Sequence, residues 1–308
     1  MNYDSQSESA SAVAAKWAAG TPTFSVEFFP AKEEKDARQL LRAANAIKDL
    51  PIDFASITYG AGGSSRERTL DYGELIADIF GFRIMPHLTL VGHSRAELLA
   101  VLERYRRAGF FSVMALRGDP PRGETNFVPA PDGLAHASEL VALIRENFGG
   151  AFMVGVAGYP EKHPEAPDAE TDLRFLKEKV ERGANFVTTQ MFFDNEKYFS
   201  FVERARAVGI RVPIVPGIMP VLSLRQLDRV NALSRAHVPA ELRDALRAAD
   251  EAGDAAAGAR AGLDWAEKQI RALIAAGAPG VHLYIMNRGS FARDLCSRLG
   301  DLAALKAR

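Results

Sequence analysis

Short apolar runs alternate with amphipathic stretches over most of the chain. Eight of the runs are rich in β-branched or aromatic residues and are bounded by glycine, proline or polar residues, as buried parallel strands are. These runs are Thr23–Phe29, Phe54–Thr58, Ile84–Leu90, Ser112–Leu116, Phe152–Ala157, Phe186–Thr189, Pro213–Pro216 and Val281–Ile285. Helical apolar spacing lies between them, for example at Leu98, Val101, Leu102 and Tyr105. The pattern therefore predicts a series of βα units.

Eight βα units in 308 residues favour an α/β fold with a single (β/α)8 TIM-type barrel. A doubly wound open sheet is the alternative arrangement of the same units. We expect the barrel to span residues 21–308. Residues 1–20 are expected to form a short disordered N-terminal tail, because Met1–Ser11 is polar and acidic and lacks the pattern of a signal peptide.

Composition and charge narrow the classes of function. The 38 basic and 39 acidic side chains give a net charge of −1, so no nucleic-acid partner is expected. Cys296 is the single cysteine, which excludes a disulfide framework and favours a reducing, cytoplasmic location. No apolar run is long enough for a membrane span. The histidines His87, His93 and His163 lack metal-ligand spacing, so no metal is expected.

Polar residues follow the predicted strands at their carboxyl ends, where (β/α)8 barrels place their active sites. Glu27 lies among Val26, Phe28 and Phe29, which should partly desolvate its side chain. Desolvation disfavours the charged form of a carboxyl group, so Glu27 is a candidate general acid; a buried ion pair is the alternative. The other strand-end residues are Thr58, His87, Arg117, Asp119, Tyr159, Gln190, Tyr284, Asn287 and Arg288.

Three loops offer further candidate ligand contacts. Arg117–Pro121 combines a guanidinium fork for phosphate or carboxylate with a glycine and an acidic residue, although a local Arg–Asp pair would explain it too. Tyr59–Ser65 is a glycine-rich turn whose backbone N–H groups could bind an anion, or a tight turn before a helix. Tyr159–Ala166 is held extended by two prolines and is either a ligand contact or a structural loop.

Eight motifs occur in one order along the chain: SVEFFP, ITYGAGGS, PHLT, ALRGDPP, GYPEKHPEA, FVTTQMFFD, PIVPGIMPV and YIMNR. With this ordered set the chain resembles, from about Phe24 to Leu299, the 5,10-methylenetetrahydrofolate reductase family in its short bacterial, catalytic-domain-only form. The resemblance implies a (β/α)8 barrel that binds FAD at its carboxyl face. It also implies that NADH or NADPH reduces the flavin, which then passes a hydride to methylenetetrahydrofolate and gives methyltetrahydrofolate.

The resemblance also assigns roles to individual residues. Glu27 matches the acid that protonates the departing nitrogen when the folate ring opens, and Asp119 matches an aspartate beside the flavin and the pterin. Gln190, Leu224 and Arg288 match the remaining substrate contacts. The positions that match FAD contacts are Thr58, Tyr59, Ala61, His87, Arg117, Gly118, Asp119, Ala137, Tyr159, His163, Ala166, Asp172 and Lys179.

Four positions depart from the pattern of the family. Ala31 replaces a proline after the first strand, and Phe175 and Glu178 stand where members can carry polar or basic flavin contacts. Leu224 stands where some members have a stacking phenylalanine. Two alternatives follow, a reductase that works without flavin and a folate-binding barrel without catalysis. Either NADH or NADPH fits as the donor, and apolar outer helix faces allow a homo-oligomer.

Overall fold

A computed structural model describes residues 3–59, 66–120, 123–124 and 126–306. It contains nine strands, β1 Thr23–Phe28, β2 Phe54–Ile57, β3 Ile84–Thr89, β4 Ser112–Leu116, β5 Met153–Gly158, β6 Phe186–Thr189, β7 Ile214–Val215, β8 Gly217–Ile218 and β9 Gly280–Tyr284. These strands are parallel and form one sheet in the order β7-β6-β5-β4-β3-β2-β1-β9-β8.

Strand β7 lies within the seventh predicted run, Pro213–Pro216, and β8 follows directly after that run. Pro216 lies between them and has no backbone N–H, so it interrupts the ladder. β7 pairs with β6 and β8 pairs with β9, while the Pro216 carbonyl accepts a hydrogen bond from His282 N at 3.0 Å. Because the two ends of the sheet are consecutive in the chain, the sheet closes into the predicted (β/α)8 barrel. The alternative of an open sheet is wrong.

Helices surround the barrel. They are α1 Tyr3–Ala18, α2 Glu34–Ile47, α3 Arg66–Phe80, α4 Arg95–Arg107, α5 Ala137–Phe148, α6 Ala169–Glu181, α7 Asn195–Ala207, α8 Leu224–Ser234, α9 Ala240–Glu251, α10 Ala255–Ala275, α11 Gly289–Leu299 and α12 Leu302–Lys306. Five of them, α4, α6, α7, α8 and α10, begin after a serine or aspartate that accepts a hydrogen bond from the first turn. Within the described residues, no helix is both long and apolar enough to cross a membrane.

The amino-terminal part of the barrel interior is filled by one apolar layer. Strands β2 to β7 each contribute one buried side chain to it, which is the way such barrels fill their interior. Three residues of α1, Ala10, Val13 and Trp17, pack against this layer from the end of the barrel. The strand residues of the layer are Phe54, Met85, Met114, Met153, Phe186 and Val215.

The disordered tail predicted at the N-terminus is wrong for Tyr3–Ala18, which forms α1. The Trp17 ring lies 5.0 Å from the Phe186 ring, and Trp17 Nε1 donates a hydrogen bond to Thr23 Oγ1 at 3.0 Å. Among the side chains described for α1, only Val13 is fully buried, so the helix carries too short an apolar stripe to be visible in the sequence. The packing of α1 under the barrel stabilises it.

Replacing Trp17 by alanine should destabilise the protein by about 2 kcal/mol, because it removes a half-buried ring from the base of the barrel. Trp17→Phe is the matched control, since it keeps the ring against Phe186 and loses only the hydrogen bond to Thr23. Urea unfolding followed by circular dichroism measures both variants. Equal midpoints for wild type and Trp17→Ala would show that α1 contributes nothing to stability.

Candidate active site

Two imidazoles flank one carboxylate in the barrel interior. Glu27 is the penultimate residue of β1 and is 7% exposed. Its Oε2 lies 3.5 Å from Nε2 of His87 on β3 and 4.0 Å from Nε2 of His282 on β9. Burial lowers the pKa of His87, although the charge of Glu27 opposes this shift, so this imidazole is neutral at pH 7. Nε2 of His87 is buried and has no hydrogen-bond partner among the described residues.

His282 connects three neighbouring strands through serine hydroxyls. Its Nδ1 lies 2.8 Å from Ser25 Oγ on β1, and its Nε2 lies 3.3 Å from Ser56 Oγ on β2. The Ser25 hydroxyl also donates to the carbonyl of Val281 at 3.2 Å. The imidazole stacks on Phe54 with a centroid separation of 6.0 Å. These contacts hold the ring in one orientation beneath Glu27.

Tyr284 and Gln190 continue the site from β9 to β6. The Tyr284 hydroxyl donates to the Thr189 carbonyl at 2.7 Å. Burial raises the pKa of Tyr284 well above its usual range, and the charge of Glu27 adds to this effect. Gln190 follows Thr189, and its backbone N–H donates to the Gly158 carbonyl at 2.8 Å. Gln190 therefore lies at the carboxyl end of the barrel, as predicted.

A second cluster joins the loops after β4 and β5. Arg117 forms a bidentate ion pair with Glu165, with Nη–Oε distances of 2.6 and 2.7 Å. The guanidinium also lies over the Phe127 ring, 5.3 Å from its centroid. The rings of Tyr159 and His163 are in edge contact at 4.6 Å. The alternative of a local Arg–Asp ion pair is not found among the described residues, where Arg117 pairs with Glu165 on the loop after β5.

Two of the predicted flavin contacts bind backbone groups. Asp172 Oδ2 accepts a hydrogen bond from the His163 N–H at 3.0 Å. Lys179 Nζ donates to the Ala157 carbonyl at 2.6 Å. Burial lowers the pKa of Lys179 to about 8, against the opposing charge of Asp172. Both side chains thus fasten α6 and the loop before it to the barrel.

The other predicted flavin contacts lie on several segments. Thr58 and Tyr59 follow β2 and are partly buried. Ala61 lies outside the described residues. Ala137 is the first residue of α5, and Ala166 is buried in the loop after β5.

The remaining predicted contacts follow strands β4, β8 and β9 and include the exposed residues Asp119 and Arg288. Gly118 has a φ of +89°, a backbone conformation that favours glycine, and directs the chain to the exposed Asp119. Leu224 begins α8 and is partly buried. Arg288 immediately precedes α11 and is exposed. These predicted contacts therefore lie in or beside the loops that follow β4, β8 and β9, at the carboxyl-end rim of the barrel.

Phe175 and Glu178 make contacts within the outer helices. Phe175 is 48% exposed, and the guanidinium of Arg174 lies 5.6 Å from its ring centroid. Glu178 accepts a hydrogen bond from Ser138 Oγ at 3.3 Å and pairs with Arg182 at 3.0 Å. Glu178 thereby joins α6 to the first turn of α5.

Asn287 fastens the loop that follows β1. Its Oδ1 accepts a hydrogen bond from the Phe29 N–H, and its Nδ2 donates to the Phe29 carbonyl, both at 2.9 Å. Met286 and Asn287 both have positive φ values, of 50° and 53°, which turn the chain toward this loop. Ala31 is buried in the same loop. The loop beside Glu27 is therefore held by a side chain from the end of β9.

Sequence reasoning treated His282 as an ordinary strand residue and gave no role to Ser25 or Ser56. The signal that could have found them is the two-residue alternation along the strands. Ser25 is two residues before Glu27, so both side chains face the same side of β1. By the same alternation, His282 and Tyr284, which are also two residues apart, lie on one face of β9.

Comparison with protein families gives one match that covers most of the chain. A family model described as methylenetetrahydrofolate reductase matches residues 12–300. The chain is 35% identical to methylenetetrahydrofolate reductase (NADH) 1 of Arabidopsis thaliana over 290 residues, which are 91% of this chain and 49% of the relative. The chain thus spans about half the length of the plant relatives it matches.

Bacterial relatives match along nearly their whole length. The chain is 34% identical to the 5,10-methylenetetrahydrofolate reductase of Escherichia coli over 281 residues, which are 91% of this chain and 92% of the relative. Among solved structures, a Clostridium thermocellum protein that binds two copies of 5-methyl-5,6,7,8-tetrahydrofolic acid superposes with a TM-score of 0.62. It covers 95% of this chain and 99% of its own at 15% identity, which supports the fold alone.

Proposed function

Because the chain belongs to the methylenetetrahydrofolate reductase family, we propose that it reduces 5,10-methylenetetrahydrofolate to 5-methyltetrahydrofolate. The proposal includes FAD as the hydride carrier, NADH or NADPH as the donor, and a cytoplasmic location. The observation that carries it is the buried Glu27 between His87 and His282, at the end of a (β/α)8 barrel where catalysis is expected.

The donor groups present fit a flavin dinucleotide. The planar guanidinium group of Arg117 could bind the pyrophosphate of the dinucleotide. The pyrophosphate would then compete with Glu165 for this group. Nε2 of His87 is buried beside Glu27, has no hydrogen-bond partner among the described residues, and would offer a polar contact to the ring system. Thr58, Tyr159 and the other predicted contact positions would complete the site. FAD, when bound, supplies two-electron chemistry as hydride transfer.

Glu27 holds the proton that the reaction needs. Opening the folate ring requires a proton on the departing nitrogen, and the carboxyl group of Glu27 supplies it. Its burial keeps bulk water from competing for that proton. Asp119 stabilises positive charge that develops on the one-carbon unit. Gln190, Leu224 and Arg288 bind and orient the folate at the rim.

The first experiment is an anaerobic visible spectrum of the purified protein before and after addition of 5-methyltetrahydrofolate. We expect flavin bands that bleach, because methyl oxidation is the reverse of the proposed reaction. Tetrahydrofolate, which has no methyl group to oxidise, is the control and should leave the bands unchanged. Separate additions of NADH and NADPH then identify the donor.

Other spectra would contradict parts of the proposal. Flavin bands that 5-methyltetrahydrofolate does not bleach would reject the folate reaction. A colourless protein that reduces methylenetetrahydrofolate directly, even after FAD has been offered, would identify a flavin-free reductase. Folate binding without turnover in either assay would identify a binding barrel.

A further inference from the structure

A groove between helices α2 and α11 carries more positive than negative charge. Its volume is about 880 Å³, and four basic side chains line it, those of Lys35, Arg38, Arg42 and Arg288. Among the described residues, Glu34 is the only acidic residue of this lining, and it pairs with Arg38 at 2.5 Å. The groove therefore favours an anionic ligand.

Two of the four basic side chains have no carboxylate partner. Lys35 Nζ lies 2.8 Å from the carboxylate of Glu33, and Arg38 is paired with Glu34. Arg42 and Arg288 are both exposed, and neither forms an ion pair within the part of the chain that the structure describes. An anion can therefore bind these two guanidinium groups without displacing a carboxylate of the protein.

The groove adjoins the carboxyl-end rim of the barrel, where we place the folate. Asn287 belongs to its lining and binds both backbone groups of Phe29, two residues after Glu27. A narrower cavity shares Arg288 with the groove and is also lined by Tyr284, which is in register with Glu27. A substrate bound at the rim can thus extend into the groove.

The basic side chains of α2 form a row that leads away from this rim. Lys35, Arg38 and Arg42 are three and four residues apart, so they share one face of the helix at rises of about 4.5 Å and about 6 Å. Gly289, the first residue of α11, packs so closely against Ala43 that an added Cβ would overlap the Ala43 carbonyl oxygen. The positive end of the α11 dipole therefore lies beside the Arg42 end of the row.

We propose that this groove binds a tail of γ-linked glutamates on the folate substrate. Folate ends in a glutamate, and each further glutamate joined through the γ-carboxyl group adds one carboxylate. A flexible chain of carboxylates can contact several members of the row, whereas a compact anion such as phosphate would contact only one or two. This inference rests on the proposed function, because it extends the substrate of the same site.

Binding of tetrahydrofolate with one and with three glutamates tests the proposal without turnover. Isothermal titration calorimetry of the flavin-loaded, full-length protein gives both Kd values. Two additional carboxylates at exposed cations should lower the Kd of the triglutamate roughly threefold to tenfold at low salt. The difference should disappear at about 1 M salt, where the Debye length is about 3 Å.

The double variant Lys35→Gln/Arg42→Gln should bind both forms with nearly the same Kd. Glutamine keeps a high helix propensity, so α2 should remain folded, and the Kd of the monoglutamate should stay that of the wild type. Arg247→Gln/Lys268→Gln is the matched control, because it removes one exposed arginine and one exposed lysine from α9 and α10. This control should keep the preference for the triglutamate.

Two results would overturn the tail site while leaving the proposed reaction intact. One is an equal Kd for the two forms in the wild type at low salt, and the other is an undiminished preference in Lys35→Gln/Arg42→Gln. A double variant that instead loses affinity for NADPH would identify a site for a nucleotide phosphate. A preference for the triglutamate without bleaching by 5-methyltetrahydrofolate would support the tail site and reject the reaction, and a protein that binds neither form would reject both.

Discussion

The Glu27→Gln variant is expected to lose methylenetetrahydrofolate reduction while its flavin is still reduced by the nicotinamide nucleotide. Glutamine is close to glutamate in size and polarity, so it can occupy the same buried position, but it carries no acidic proton. Loss of a general acid typically lowers a rate by roughly 10² to 10⁴. The reoxidation of reduced flavin by the folate should fall by a factor in this range.

Anaerobic stopped-flow absorbance measures the two half-reactions separately. Glu203→Gln is the control, because Glu203 is an exposed carboxylate on α7, on the outside of the barrel. It should leave both rates unchanged. Glu27 has no ion pair with a lysine or arginine in the described residues, so Glu27→Gln should keep a wild-type circular dichroism spectrum. Retention of both rates in Glu27→Gln would remove Glu27 from the mechanism.

The barrel could be predicted from the sequence because buried parallel strands are continuous apolar runs. The predicted strands Ser112–Leu116 and Phe186–Thr189 agree with β4 and β6 at both ends. The seventh predicted run ends at Pro216, the residue that separates β7 from β8, so β8 lies outside the prediction. The barrel closes because β7 pairs with β6 and β8 pairs with β9, and no local pattern contains this change of partner.

The candidate site was predictable where a single strand carries its own signal. Glu27 stands out because apolar neighbours surround it in the sequence. His282 does not, because its contact with Ser25 joins residues 257 positions apart and exists only when β1 pairs with β9. The Arg117–Glu165 pair spans 48 positions and two loops, so no local pattern indicates it. Sequence reasoning therefore missed the contacts that form when the barrel closes and when separate loops pack together.

A Gly262→Ala variant is expected to be strongly destabilised, although alanine is the better helix former. Gly262 lies in α10, where an added Cβ would overlap the carbonyl oxygen of Val221 and lie 2.7 Å from its carbonyl carbon. A backbone carbonyl cannot turn aside as a flexible side chain can, so the helix or the segment after β8 must shift. Overpacking of this kind costs about 3 kcal/mol, more than the gain of about 1 kcal/mol from helix propensity.

Gly258→Ala is the matched control, one helical turn earlier on the same face of α10. Its Cβ would lie 3.1 Å from the Leu222 carbonyl oxygen, a contact that a small shift relieves, so the gain in helix propensity should offset most of the cost. Thermal unfolding should therefore show a Tm lower by roughly 3 to 5 °C for Gly262→Ala and little change for Gly258→Ala. Similar Tm values for the two variants would show that the backbone of the segment after β8 can shift at little cost in free energy. Because that segment leads directly to Leu224 at the rim, such freedom would also make the proposed folate contact at Leu224 adjustable rather than fixed.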